Sequence, residues 1–558
     1  MRRHVGQLLL PAALSIGAFG CGVEAPEKPA PGPAPPAAVN NTLKTGLGNH
    51  HHPIATASAD AQQHFDQGVA LTFAFNHDEA VRSFQRAAEL DPKAAMPHWG
   101  IAWALGPNYN LDIDDPRSVQ ASNEIRTARA LAAAGPQVER DYVEALTVRY
   151  SPDPKADRAA LARRYSASMA ALVKKYRDDL DAATLYAESL MNLRPWKLWT
   201  LDGKPAPETP AILATLESVL RRKPDHIGAN HYYIHATEAS GDPGRALASA
   251  KRLETLVPAA GHLVHMPAHT YARTGDHAGA AKANLAGAEA DRAYLKDASA
   301  DSFYAMAYYS HNLHFLADSE MMQGRLAEAS RAAGELADRL APHAAMMPMV
   351  ESMMTMSTSV LLRFHRYDDV LKLAKPGGDR PVLLAWWHFA RGVAYAQTGD
   401  LDGARTERTA LAAAIPRVSD TALFGGTGLA GAGTVLAIAL TSLDARIAAR
   451  SGGASEALAL WKQAVAAADA LPYDEPPVWF YPLRESLGAA LAGAGRHAEA
   501  EAVFREDLAR HPRNARSLYG LSLSLRAQQK MVDAGWIERE FAEAWTNATD
   551  RELSLDKY

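Results

Sequence analysis

The sequence predicts an all-α fold, an α-solenoid in which irregular helix-turn-helix repeats stack side by side. The first observation is a recurrence: His231 and His235 are followed, 34 positions further along, by His265 and His269. Such a period is typical of two-helix units that bury their apolar faces only by stacking on their neighbours. The second observation is composition, because 48% hydrophobic residues with many alanines suit closely packed helices.

The repeat is most regular between Ala61 and Pro92, which fits the tetratricopeptide pattern. Positions 8, 11, 20, 24, 27 and 32 of that pattern are occupied by Gly68, Leu71, Ala80, Phe84, Ala87 and Pro92. The same frame fits from Ile227, from Gly261 and from Ser310, and further units are predicted at 386–404, 481–512 and 515–541. Insertions at 194–210 and 294–309 make the array irregular.

The domain organisation predicted from the sequence has three parts. Residues 1–20 resemble a lipoprotein-type signal peptide, because Arg2 and Arg3 precede an apolar run that is too short for an ordinary membrane span. Cys21 is the predicted lipidated residue, and residues 21–46 form a Pro/Ala-rich tether. Residues 47–558 form the solenoid, with a histidine-rich concave groove at about 180–320 and C-terminal repeats at about 380–545.

The signal also predicts where the protein resides. Gly22 follows Cys21, and resemblance to Gram-negative lipoproteins then implies a lipid anchor in the outer membrane, facing the periplasm. The alternative is an ordinary secretory signal with a soluble periplasmic or secreted product. Both interpretations place the protein in or beyond the cell envelope.

The repeat frame assigns histidines to the groove. Resemblance to tetratricopeptide proteins implies that positions 2, 5, 9 and 12 of each first helix face the concave surface. Those positions hold His231, His235, His262, His265, His269, His311, His314, Asp318 and Glu238. Glu188 is predicted at position 9 of the preceding first helix. Residues three, four or seven apart share one face of a helix, so these side chains are expected to converge.

A transition-metal site is the predicted use of this face. Neutral imidazole is a ligand for zinc, copper and iron, and carboxylates can complete the coordination. The predicted metal ligands are His231, His235, His262, His265, His269, His311, His314, Glu188 and Asp318. Two other interpretations remain open: the imidazoles bind an organic anion or a peptide, or they make structural hydrogen bonds.

An acidic, aromatic loop at 473–479 precedes a later first helix and is positioned to reach the groove. Glu475 and Glu238 are the candidate general acid or base residues. Candidate substrate-pocket residues are Trp196, Trp199, Tyr473 and Trp479. The alternative for the loop is that its prolines and Trp479 only brace the following helix.

Several other classes are excluded or disfavoured. The net charge of −5 shows no basic excess, so no nucleic-acid partner is expected. Residues 426–431 fit a dinucleotide-binding glycine pattern, but no strand is predicted before them, and we interpret them as a helix-rich packing segment. The tract His50, His51 and His52 is interpreted as a solvated run.

Longer strings such as HIGANHYYIHATEAS, AGHLVHMPAHTYARTGD and LPYDEPPVWFYPLRESLGAAL resemble a family of large bacterial tetratricopeptide-repeat proteins, mostly described as hypothetical. The resemblance runs from about Leu47 to Trp545 and implies the fold but no activity. The predicted function is therefore a metal-dependent enzyme acting on a small substrate, hydrolytic or redox. The alternative is a scaffold whose groove binds a peptide or an anionic ligand without catalysis.

Overall fold

The computed structural model describes residues 42–153, 155–299, 302–344, 348–426 and 428–558. The predicted signal peptide, Cys21 and the tether up to residue 41 lie outside the described residues. The described residues belong to one compact unit. It is almost entirely helical, as the repeat pattern predicts.

The N-terminal part consists of helical hairpins. Its helices are α1 (Ala59–Phe73), α2 (His77–Leu90), α3 (Met96–Leu105), α4 (Asp115–Ala132), α5 (Gln137–Thr147), α6 (Arg158–Lys175), α7 (Leu180–Met191) and α8 (Thr209–Arg222). Close packing explains the small residues of the pattern. A Cβ atom added to Gly68 or to Gly100 would lie 2.5 or 2.6 Å from the buried Phe84 ring, so both helices approach that ring only as glycine.

The central part carries the histidines. Its helices are α9 (Ile227–Thr237), α10 (Leu247–Leu256), α11 (Gly261–His265), α12 (Pro267–Thr274), α13 (His277–Tyr294), α14 (Ser310–Met322) and α15 (Leu326–Leu340). The sequence predicts one helix where α11 and α12 stand. The helix is interrupted at Met266 because Pro267 has no backbone N–H to donate. A π-helical turn, Ala305–Tyr309, leads directly into α14.

The C-terminal part continues the stack. Its helices are α16 (Met356–Arg363), α17 (Tyr367–Lys372), α18 (Pro381–Thr398), α19 (Leu401–Ala414), α20 (Ala432–Arg450), α21 (Ala454–Asp469), α22 (Arg484–Gly493), α23 (His497–Arg510), α24 (Ala515–Ala527) and α25 (Met531–Ala544). Short 3₁₀ turns lie at Pro243–Ala246, Pro348–Glu351, Met353–Thr355, Ile415–Arg417 and Leu555–Lys557.

A two-stranded antiparallel hairpin corrects one interpretation. Strands β1 (Leu423–Phe424) and β2 (Ala430–Gly431) pair with Leu423 opposite Gly431. Strand β1 precedes Gly426, and Ala430 and Gly431 form β2. The helix-rich interpretation of this segment and the expectation that no strand precedes it were therefore both wrong.

Helix α20 is a long, apolar helix of the C-terminal part. Among the described residues it is long and apolar enough to cross a membrane by length and composition, but 56% of its apolar window is buried inside the protein. It packs against α18, α19 and α21. These contacts are those of a core helix of the solenoid.

Two features of the stacking position the groove. Each helix packs on the next helix along the chain. The first helices of adjacent repeats also contact each other: α7 contacts α9, and α14 contacts α16. The end of α1 additionally contacts α9, although seven helices lie between them in sequence. Farther on, Thr549 N–H donates to the carbonyl oxygen of Gly324, 3.1 Å away. Segments distant in sequence are thus joined to the central repeats.

Candidate metal centre

Six imidazoles from α9, α11, α12 and α14 gather in two clusters. The first histidine cluster consists of His231, His235 and His262, and the second of His265, His269 and His311. Within each cluster, one nitrogen of every ring lies within 4.8 Å of the other two. Five of the rings belong to residues that are 0–1% exposed, and only His311 is partly exposed.

The second cluster shows how the rings are oriented. The Nδ1 atom of His265 lies 2.8 Å from Oδ1 of Asn284, and the Nδ1 atom of His269 lies 2.6 Å from Oε2 of Glu238. Asn284 directs its amide nitrogen at Ser319 Oγ, 3.4 Å away, which leaves the amide oxygen for His265. Both Nδ1 atoms therefore carry the proton and donate it, and both Nε2 atoms present lone pairs.

These two lone pairs face each other. The Nε2 atoms of His265 and His269 are 2.9 Å apart. Two unprotonated nitrogens at that distance repel unless a cation lies between them. An extra proton on His265 is disfavoured, because burial and the neighbouring His269 lower the pKa of His265 well below its usual value. Two nitrogens bound at about 2.0–2.1 Å to one ion lie roughly 2.9–3.4 Å apart for coordination angles of about 90–109°. The spacing therefore fits a shared metal ion.

The first cluster resembles the second at His231 and His235, whereas the buried Nδ1 atom of His262 has no hydrogen-bond partner. His231 donates from Nδ1 to the carbonyl oxygen of Phe73, 2.6 Å away, and its Nε2 lies 3.1 Å from Nε2 of His262. His235 directs Nδ1 at Oε1 of Glu238, 3.0 Å away, and its buried Nε2 has no hydrogen-bond partner. Burial also lowers the pKa of His231 and of His262 well below the usual value. Neutral imidazole is the form of histidine that binds metal.

Glu238 connects the two clusters. One carboxylate oxygen accepts from His235 and the other from His269. Burial by itself would raise the pKa of Glu238, but the two imidazoles outweigh it and hold the pKa at about 2. Because each contact pairs an N–H donor with a carboxylate, Glu238 orients ligands of both clusters through their outer nitrogens, as carboxylates commonly do behind metal-bound histidine.

Aromatic rings enclose the clusters. The Phe75 ring is 4.5 Å from the His231 ring and stacks on His262 at 5.3 Å. Trp196, a predicted pocket residue, lies edge-on to His235 with centroids 5.6 Å apart. On the other side, the Phe315 ring lies 5.4 Å from that of His269. This enclosure keeps water out and strengthens electrostatic interactions at the clusters.

The 473–479 loop brings a carboxyl group and a phenol to the second cluster. Glu475 is 2% exposed and accepts a hydrogen bond from the Tyr473 hydroxyl. Burial raises the pKa of Glu475 to about 8; the negative charge of Glu238 adds to the rise and His269 opposes it. Arg273 links this loop to the site, since its guanidinium lies 5.7 Å from the Tyr473 ring and donates to the Glu238 carbonyl oxygen.

Three predicted ligands lie in neither cluster. The Glu188 carboxylate faces Arg149, 3.7 Å away, and accepts from Asn192. His314 is buried, and burial lowers its pKa to about 4. Burial raises the pKa of Asp318 to about 7. The positive charges of Arg363 and His511, in the C-terminal repeats, oppose the rise.

The two remaining tryptophans have structural contacts. The Trp199 indole N–H donates to the carbonyl oxygen of Ala236 at 2.8 Å, which fixes the 194–210 insertion on the end of α9. Trp479 packs against Trp386 and Phe389, with centroids 5.6 and 5.7 Å apart, in the core of the C-terminal repeats. Of the four predicted pocket residues, the structure brings Trp196 to the His235 ring and Tyr473 to Glu475.

Sequence reasoning missed three residues of the centre: Phe73, Phe75 and Asn284. Asn284 had a readable signal, because it occupies repeat position 24, where the first repeat has the buried Phe84. Phe73 and Phe75 had none, since they reach the site through the contact between α1 and α9.

The N-terminal histidine tract is also placed differently from the sequence interpretation. His50 Nε2 lies 3.0 Å and His52 Nδ1 2.7 Å from the Asp181 carboxylate, and His226 approaches the same carboxylate at 3.1 Å. A solvated run was therefore the wrong interpretation for His50 and His52, which attach the start of the solenoid to α7. His51 remains exposed.

The fold and the two clusters define an α-solenoid of tetratricopeptide-type repeats with a buried histidine-rich centre. No protein-family model matches the chain. The cellulose synthase 2 operon protein C of Komagataeibacter xylinus is 28% identical over 300 residues, which are 49% of this chain and 22% of that protein. The match thus spans about a fifth of the length of that curated relative.

Solved structures similar to the chain are also helical-repeat proteins. The human IFIT1 dimer with m7Gppp-AAAA shares 13% identity at a TM-score of 0.32, over 88% of this chain and 91% of IFIT1. Yeast Tom70 shares 11% sequence identity at a TM-score of 0.28, over 87% of this chain and 93% of Tom70. A chain of the APC/C hetero-tetramer Cut9-Hcn1 shares 12% sequence identity at a TM-score of 0.31, over 89% of this chain and 74% of that chain. We infer no ligand or activity from these similarities.

Proposed function

We propose that this protein binds two transition-metal ions, one in each histidine cluster, and acts as a metal-dependent enzyme on a small substrate. The observation that carries the proposal is the 2.9 Å separation between the Nε2 atoms of His265 and His269, whose Nδ1 atoms are both committed as donors. A structural hydrogen-bond network would need a second proton on His265 or on His269, and burial opposes that proton at His265.

The ligand chemistry favours copper or zinc over iron. Each cluster offers three imidazole nitrogens. His235, His269 and Glu238 form a third group whose ligand atoms lie within 4.8 Å of one another, but there the carboxylate already accepts from both imidazoles. The predicted carboxylate ligands Glu188 and Asp318 lie in none of these groups. Imidazole suits zinc and copper, whereas non-haem iron sites commonly include a carboxylate. Three protein ligands leave a coordination position for water or substrate, which is characteristic of catalytic rather than structural sites. Such an ion supplies an acidic bound water or, if it is copper, electron transfer.

Burial favours a small substrate over a peptide. Five of the six imidazoles belong to residues that are 0–1% exposed, and Phe75, Trp196 and Phe315 cover them. A peptide in the groove could not touch these rings without moving the aromatic cover. A scaffold that grips a peptide through the histidines is therefore disfavoured.

X-ray absorption at the metal edge tests the proposal. Protein loaded separately with copper and with zinc should show a first shell of nitrogen or oxygen atoms at about 2.0–2.1 Å with the scattering pattern of imidazole rings. A shell without imidazole, or failure to load either metal, would refute the centre.

We propose Glu475 as a proton donor or acceptor for this site. With its pKa raised to about 8, the carboxyl group is protonated at pH 7 and ionises as the pH rises through 8. Infrared difference spectra of metal-free protein between pH 7 and pH 9 should show loss of a protonated carboxyl band that is missing in Glu475→Gln. Asp474→Asn, one residue away, is the matched control and should keep the band. An identical difference spectrum for Glu475→Gln would contradict the assignment.

We also propose that the protein is lipid-anchored in the cell envelope through Cys21, with the Pro/Ala-rich segment as spacer. The support is the sequence alone: a short apolar run after two arginines, a cysteine and then the tether. Labelling with radioactive palmitate should mark the wild type and leave Cys21→Ala unlabelled. Equal labelling of both would exclude this anchor.

A further inference from the structure

A small cationic cavity lies in the C-terminal repeats, apart from the histidine clusters. Its volume is about 30 Å³, and α16, α20, α22, α24 and the end of the chain contribute to it. The charged residues that line it are Arg363, Arg446, Arg516, Lys557 and Glu485. Four cationic side chains and one side-chain carboxylate thus line it, together with Tyr558, the last residue of the sequence, whose main-chain oxygen accepts from Arg446.

The carboxylate of Glu485 already accepts hydrogen bonds from Arg363 and Asn514. Arg363 donates from both terminal nitrogens to the two oxygens of Glu485, and the longer of these bonds is 2.9 Å. Asn514 also donates to Glu485, at 2.9 Å. Glu485 therefore balances the charge of Arg363 and has little capacity left for the other cations.

The other two guanidiniums have neutral or main-chain acceptors. Arg446 donates to the main-chain oxygen of Tyr558 at 2.8 Å and to the Tyr481 hydroxyl at 2.9 Å. Arg516 donates to the carbonyl oxygen of Arg363 at 2.7 Å, and its other terminal nitrogen is 3.5 Å from His365. Among the described residues, no side-chain carboxylate lies within 4.0 Å of either guanidinium.

Arg516 is the buried cation of this cavity that most clearly lacks a negatively charged partner. It is 4% exposed, and its Nε–H is buried without a hydrogen-bond partner. The Nε atoms of Arg363 and Arg446 and the hydroxyl of Tyr558 are buried and unpartnered in the same way. Burial, with the positive charge of Arg363, lowers the pKa of Arg516 to about 10. A buried cation without a counter-charge is unfavourable, and an anion in the cavity would remove the penalty.

We propose that this cavity binds the carboxylate group of a small organic acid, with Arg516 as its principal ligand. The planar guanidinium offers parallel N–H donors that match the two oxygens of a carboxylate. Because a water needs about 10–15 Å³ of such space, about 30 Å³ admits a group of a few atoms such as a carboxylate. Tyr367, Phe389 and Phe480 line the rest of the cavity and suit a short apolar remainder.

Calorimetric titration of the full-length, metal-free protein with acetate tests the proposal, with chloride at equal ionic strength as the reference. The wild type should bind acetate saturably, and Arg516→Gln should weaken the binding at least about tenfold, because it removes the charge and the fork. Arg408→Gln is the matched control, since Arg408 is already paired with both oxygens of Asp444 outside the cavity. This control should bind acetate as the wild type does.

Three results would overturn the proposal: no saturable acetate binding by the wild type, unchanged affinity in Arg516→Gln, or inorganic phosphate binding as tightly as acetate. If Arg516→Gln does not fold, Arg516→Lys replaces it. That variant keeps the positive charge but loses the fork, so its acetate affinity should fall several-fold. Wild-type affinity in the lysine variant would equally overturn the proposal.

Discussion

Alanine at both His265 and His269 is expected to remove the metal ion of the second cluster. Two of its three imidazoles are lost, and the remaining His311 cannot hold an ion alone. The change also leaves one oxygen of Glu238 without its donor, so the affinity of the first cluster should fall as well. Metal content should therefore drop from two ions per chain to one or fewer.

Elemental analysis of the purified double variant measures this loss. His98→Ala with His388→Ala is the matched control, because these imidazoles also pair with glutamates, Glu124 and Glu407, but lie outside both clusters. The control should keep full metal content. Full content in the His265 and His269 variant would exclude the second cluster as a metal site.

Glu238→Gln is the second change with a large expected effect. The carboxylate accepts the Nδ1 proton of His235 and of His269, whereas a glutamine must turn its NH₂ group towards one of those N–H groups. That imidazole then loses the partner that fixes its tautomer and orientation. Loss of such an outer partner typically lowers metal affinity about 10–100-fold, and here the loss should reach both clusters.

Competition titrations with a chromophoric chelator give the two affinities. Glu407→Gln is the control, since Glu407 accepts from His388 Nδ1 at 2.6 Å in a comparable pair away from the centre. Its metal affinity should equal that of the wild type. If Glu238→Gln also binds as tightly as the wild type, Glu238 does not orient the ligands.

The repeat frame explains why so much of the centre was predictable. A 34-residue period assigns equivalent faces to neighbouring first helices, so His231 with His235 and His265 with His269 could be placed together without coordinates. His262 and His311 followed from position 2 of the same frame. The structure brings all six rings into the two clusters.

The frame could not predict what the insertions and the curvature of the solenoid decide. Glu188 precedes the 194–210 insertion, and the structure directs it at Arg149 rather than at the histidines. The Phe73 carbonyl reaches His231 only because α1 returns to α9, a contact that is the sum of small rotations between many repeats. No local pattern encodes such a sum.

The two wrong interpretations, of the glycine-rich segment and of the histidine tract, have separate causes: very short strands in the first case and a partner far along the chain in the second. The strands of the 423–431 hairpin are two residues each, too short for alternation of apolar and polar residues to appear. His50 and His52 read as solvated because their partner, Asp181, lies far along the chain. A histidine tract is buried or exposed according to such partners.

Metal analysis by plasma mass spectrometry on the full-length protein, purified without a histidine tag or chelator, tests the central claim most directly. The account predicts two ions of copper or zinc per chain, or two after reconstitution of metal-free protein with either metal. One ion per chain would leave a metal centre but contradict the second site. A protein that contains no metal and takes up none on reconstitution would contradict the account.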